Sequence, residues 1–162
     1  MAINERVSRL LEQNRIEYEI LPHREVFTAQ EVAQTTHVSG RTLAKVVVVR
    51  EPAGAYLMAV LPASCHLDLN LLEQMTGHRG SVLATEDELR RLFPDCELGA
   101  MPPFGRLYGM PMYLDHCFWK ASEFFFQAGN HHEVVRMDFE DYLQLARPLA
   151  GEFCLHGSKV GV

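Results

Sequence analysis

The stretch "AKVVVVREPAGAYLMAVLP", residues 44–62, restricts the possible folds more than any other part of the chain. Val46 to Val49 are four consecutive β-branched residues, which pack well on a pleated sheet and give up rotamer freedom in a helix. An uninterrupted apolar run of that length suits a strand covered on both faces. "EPAGA" carries the Pro and Gly of a turn, and a second apolar run follows it. Residues 43–50 and 55–62 therefore read as a hairpin inside a layered domain. One residue conflicts with this picture. Side chains alternate along a strand, so Lys45 shares a face with Val47 and Val49. Either it snorkels, with its stem on apolar surface and its charge in water, or its ammonium is wanted there.

The remaining elements are short. Ile3, Val7, Leu10 and Leu11 fall on one face of a helix over residues 2–14. "EYEIL" alternates as a strand and ends at Pro22. "TAQE" is a capping box of Thr28 with Glu31, opening a helix over about 29–35. A third helix runs from its Asp68 cap to Gly77. "GSVLA" reads as a strand, and the Thr85–Glu88 box opens a helix to about 92. Strands are predicted at 111–115, 123–128 and 133–137, and a last helix starts at Asp138. Hairpins interspersed with short helices imply an α/β (α+β) fold with a mixed sheet.

At 162 residues the chain fits a single domain, 1–162, that buries about two-thirds of its unfolded surface. No apolar run approaches the ~20 residues that cross a bilayer, so no membrane partner is expected. The four cysteines are spread out without a CxxC, which suggests reduced core residues in a cytoplasmic protein rather than a metal or redox motif. A net charge of -6 excludes broad coating of nucleic acid, which rests on many Lys and Arg contacts to phosphate. A nucleic-acid substrate would be held at a few local positions, with Arg41, Arg79, Arg106 and Lys120 as the candidate rim.

Three places carry candidate chemistry. Lys45 is the first. The second is "GAMPPFG", Gly99 to Gly105, inside an irregular region from 94 to 111. Such a long loop is unusual in a compact domain; it is either a stiff surface connection or a place where glycine backbone approaches a ligand. The third is "AGNHHE", Ala128 to Glu133, where Gly129 and Asn130 suit a turn with exposed N–H groups.

These segments, with "HREVFTAQEVAQTTHVSGRTLAK" before them and "LPASCHLDLNLLEQMTG" between, resemble the YbaK and prolyl-tRNA-synthetase-associated editing domains. The resemblance runs over about residues 5–146. It rests on His23 before "TAQEVA", on Lys45 opening the valine strand, on a GxxxP loop formed by Gly99 and Pro103, and on Ala128–Gly129. It implies a mixed, partly barrel-like sheet surrounded by short helices. It also implies a free-standing, cytoplasmic, monomeric deacylase that hydrolyses the ester of mischarged tRNA, with alanine, serine or threonine as the favoured amino acid. The partner is then the 3′ aminoacyl end of the tRNA, with docking on an aminoacyl-tRNA synthetase as a further possibility.

The resemblance gives Lys45 and Gly129 the catalytic roles. It gives Gly99, Ala100, Met101, Pro103, His131, Val46 and His23 contacts to the substrate. Backbone N–H groups at Gly99–Met101 and Gly129 would cradle the aminoacyl end. The terminal ribose hydroxyl of the tRNA would orient the water, so neither a protein base nor a metal or other cofactor is called for. Some relatives have a polar residue where this chain has Val46, which suggests a more apolar wall.

Other readings are weaker. His131, His132, Glu133 and His116 could be imagined around a metal, but neighbouring strand residues point to opposite faces, so His131 and His132 do not share an ion. Cys65 beside His66 has no third group to orient a nucleophile. The rival of a different class is a non-catalytic module that binds aminoacyl-tRNA ends or a synthetase.

Overall fold

The structure is a computed structural model and describes residues 3–23, 25, 29–36 and 38–156. The elements along the chain are α1 (Glu5–Gln13), β1 (Tyr18–Pro22), α2 (Ala29–Thr36), β2 (Ala44–Arg50), β3 (Tyr56–Pro62), β4 (Cys65–Leu67), α3 (Leu69–Thr76) and β5 (Val82–Leu83). They continue with α4 (Glu86–Leu92), β6 (Met112–Asp115), β7 (Glu123–Gln127), β8 (Glu133–Asp138), α5 (Phe139–Ala146), β9 (Leu149–Gly151) and β10 (Cys154–His156). Short 3₁₀ turns at Gly105–Tyr108 and His116–Lys120 flank β6.

The predicted hairpin is the centre of a five-stranded mixed sheet ordered β5-β2-β3-β6-β9. Strands β2 and β3 are antiparallel, with Lys45 opposite Leu61, while β6 and β9 join in parallel. A three-stranded sheet ordered β1-β8-β7 abuts it at a parallel bridge between Leu43 and Phe125, and β4 pairs with β10. The described sheets stay open at their edges instead of closing into a barrel.

The valine run explains the layering. Ala44, Val46 and Val48 turn to the main core, where Val7, Leu10, Leu11, Phe104, Phe126 and Tyr142 meet them. Val47 and Val49 turn the other way, toward Leu72, Cys65 and Phe153. Both faces of β2 are thus covered, as its composition requires.

Local signals place the helix ends. Asp68 caps α3 and Gly77, at φ +76°, stops it; the Thr85–Glu88 box caps α4; Asp138 caps α5. The first helix begins at Glu5 because Asn4 takes the cap, accepting from Arg6 N and Val7 N. Thr28 of the first capping box lies outside the described residues.

Candidate functional site

The β7–β8 connection and the Gly99 loop are stitched together through their backbones. Gly129 sits at φ +101°, a region open to glycine. Its N–H donates to Ala100 O at 2.8 Å, and its carbonyl accepts from Glu97 N at 2.8 Å. A Cβ at this position would lie 2.9 Å from Asn4 Cβ. Asn4 is itself fixed, donating through its backbone to Ala128 O and through its side chain to Asp95 Oδ2. His131 is buried at 3% exposure, with its N–H on Glu97 Oε1 and its Nε2 2.6 Å from Leu98 O. His132 is on the outside, 3.3 Å from Glu25. The backbone N–H of His23 donates to His132 O, so it prolongs the β1–β8 ladder toward the same turn.

This geometry revises part of the expected cradle. The N–H groups of Ala100 and Gly129 are already used, on Glu97 O and Ala100 O. The first closes a turn within the loop, and the second ties the loop to the Gly129 turn. Met101, 6% exposed, is a member of the main core, and Pro103 is buried with its carbonyl accepting from Tyr142 Oη at 2.7 Å. Gly99 is exposed at φ +88°. Val46 packs on the main core, the face opposite Lys45, so it does not wall a space around the ammonium.

Lys45 turns to the face of Val47, Val49 and Leu61, as strand alternation predicts. Burial pulls its ammonium below the usual lysine range, with the Cys154 and Cys65 thiols opposing that shift. It makes no hydrogen bond or ion pair with any described residue. Two residues beyond the Leu43–Phe125 bridge in both strands, Lys45 and Gln127 project from corresponding faces at the β2–β7 seam. Gln127 is 5% exposed, and its Oε1 finds no donor among the described residues. Burying such an atom unpaired costs about 1–3 kcal/mol, which marks the position as one kept for a reason other than stability. Gly129 follows two residues later. The sequence reading missed Gln127. Its signal was a single polar residue closing the aromatic strand "EFFFQ" just before Ala128–Gly129.

Beside this face a cavity of about 320 Å³ is lined by Arg41, Pro62, Ser64, Cys65, His116, Cys117 and Lys120. Two of the four expected rim cations thus meet at one opening. Arg106 instead donates to Leu145 O in a groove beside α5, and Arg79 lines a hollow beside α3. Three cysteines also converge here, contrary to the reading of them as scattered. The sulfurs of Cys65, Cys117 and Cys154 lie within 4.8 Å of one another. Glu25, Glu97 and His132 form another group whose ligand atoms lie that close.

The arrangement suits recognition of a polar, partly anionic group: a half-buried ammonium on one strand, a buried amide oxygen with no donor among the described residues on the neighbouring strand, a rigid glycine turn, and two surface cations. Comparison with known proteins agrees in kind. No protein of curated function matches the sequence. Among solved structures, hypothetical protein APE2540 superposes with a TM-score of 0.83 at 17% identity, over 93% of this chain and 100% of that one. A protein proposed to be a trans-editing enzyme for prolyl-tRNA synthetase superposes with a TM-score of 0.78 at 24% identity, over 93% and 95%. These likenesses establish a shared fold. The model of the aminoacyl-tRNA editing domain matches residues 23–145, from His23 through Lys45, the Gly99 loop and the Gly129 turn to α5. The chain belongs to the aminoacyl-tRNA editing domain family.

Proposed function

We propose that this protein is a free-standing trans-editing deacylase, which hydrolyses the ester of mischarged tRNA carrying a small amino acid, with alanine, serine or threonine favoured. The observation that carries the reading is the half-buried ammonium of Lys45, unpaired among the described residues at the seam beside Gln127. A lysine held so is costly unless a ligand uses it. In the reaction, water adds to the ester carbonyl, the C–O bond to the ribose breaks, and free amino acid and tRNA hydroxyl leave. Lys45 donates to the substrate near the ester or the terminal phosphate. There, a fixed charge matters most where negative charge develops. Gln127 Oε1 accepts from a hydroxyl or the α-ammonium of the substrate. The Gly129 turn, locked to the Gly99 loop, sets the shape of the opening. The terminal ribose hydroxyl orients the water, and no ion is needed at the carbonyl.

Arg41 and Lys120 guide the phosphates of the single-stranded end. Two or three such contacts give a shallow salt dependence, a slope of roughly -1.4 to -2.1 in log K against log salt. The deciding experiment is single-turnover release of amino acid from a panel of mischarged tRNAs. Release of alanine, serine or threonine at a rate well above that of the cognate pair is expected. Tight binding across the panel with no release would replace the deacylase by a binding module.

A further inference from the structure

We propose that Cys65, Cys117 and Cys154 form a structural site for one zinc ion, three thiolates with His116 or water in the fourth position. The thiols come from three separate elements: β4, the 3₁₀ turn after β6, and β10. Their sulfurs lie within 4.8 Å of one another, and Cys117 shares a second group of the same tightness with His116 and Asp115. Tetrahedral zinc with Zn–S bonds of about 2.3 Å sets its sulfurs about 3.8 Å apart, so the trio needs only a small inward shift. Three thiolates with one histidine is an ordinary structural zinc donor set.

The supporting shell is also built. Asp115 is fully buried, and it accepts from Cys117 N through Oδ2 and from Phe153 N through Oδ1, each at 2.9 Å. One carboxylate thereby fixes the backbone of one ligand and of the residue next to another, as outer-shell partners of metal sites do. Cys65 and Cys117 both line the cavity of about 320 Å³, which gives an ion its way in. On binding, three S–H bonds give way to three Zn–S bonds and three protons leave to solvent. Zinc with three thiolates carries one net negative charge. The ion would cross-link β10 to the sheet without taking part in ester chemistry.

The test uses the full chain, stripped of metal under reducing conditions and titrated with cobalt(II), then zinc(II). Expected are one equivalent of cobalt with thiolate charge-transfer absorption and tetrahedral visible bands, bleached by zinc, and at least a tenfold weaker affinity in Cys154→Ser. In the unaltered protein, zinc should shield the half-buried Cys117 and Cys154 from iodoacetamide and leave Cys96 unaffected. This second readout does not depend on a variant that folds. Absent charge-transfer absorption, equal cobalt affinity in Cys154→Ser, alkylation indifferent to zinc, or a disulfide between two of the three in freshly isolated protein would each overturn the site.

Discussion

Replacing Lys45 by methionine should make the protein more stable and less active. Methionine keeps the length of the stem that lies along Leu61 and the valines of β2, and it removes the desolvated ammonium. The S–CH₃ end replaces Cδ and Cε without adding apolar area, so the gain comes from removing a half-buried ammonium, and no hydrogen bond or ion pair to a described residue is lost. A gain of about 1 kcal/mol is expected, or roughly 2–4 °C in melting temperature for a domain of this size. Loss of one preorganised donor to developing charge lowers the rate about 10²–10³-fold. Thermal melts and single-turnover deacylation on the same preparation read both quantities. A structural lysine predicts the opposite pairing, with a lower melting temperature and full activity in the folded fraction. That result, or a fall in both together, would refute the argument. Because burial depresses the Lys45 pKa, the native rate, taken relative to Lys45→Met, should decline with rising pH before the usual lysine value of 10.5 is reached.

Three further outcomes follow from the packing. Gly129→Ala should cost about 2–4 kcal/mol by urea melts, from a left-handed φ and a Cβ 2.9 Å from Asn4 Cβ; Asn4→Gly should recover part of that loss, and strict additivity would disprove the clash. Met101→Ala should lower the melting temperature, on the order of 10 °C for a core methionine truncation of about 2–5 kcal/mol, while leaving amino-acid preference unchanged; altered preference at native stability would return Met101 to the pocket. Glu88 accepts from Thr85 N and Tyr56 Oη, which holds its carboxyl down at about 2 against a usual 4.5. The folded form thus binds fewer protons between those values, and Glu88's contribution is full above about pH 4.5 and lost as pH falls toward 2. Glu88→Gln should accordingly be less stable than the native protein at pH 7 and converge with it in acid denaturation series.

The legible parts of the fold were the local ones. Four valines, a turn and a second apolar run specify the β2–β3 hairpin within 20 residues, and the Thr85 and Asp138 caps are written next to the helices they start. Alternation alone put Lys45 on the face of Val47 and Val49. Strands β4, β9 and β10 were not read, because three-residue segments such as "LAG" show no period and exist only through partners far away in sequence. The same cause hid the thiol trio, since topology rather than spacing brings Cys65, Cys117 and Cys154 together. In the Gly99 loop the sequence could not tell a core methionine from a pocket methionine, nor that the Gly129 N–H goes to Ala100 O and the Ala100 N–H to Glu97 O. The family resemblance named these segments, and the structure shows how their backbones are joined.

The parallel pairing of β3, β6 and β9 has a consequence during synthesis. Residues 56–62 must wait for 112–115, and these for 149–151, before the sheet has its last strand. At about 5–20 residues per second on the ribosome, the outer edge of Met112–Asp115 stays unpaired for roughly two to seven seconds after it is made. An open apolar edge of that kind is a template for another chain. Nascent protein should therefore be most vulnerable in that interval, and slower translation of the segment after α5 should lower the yield of soluble chain.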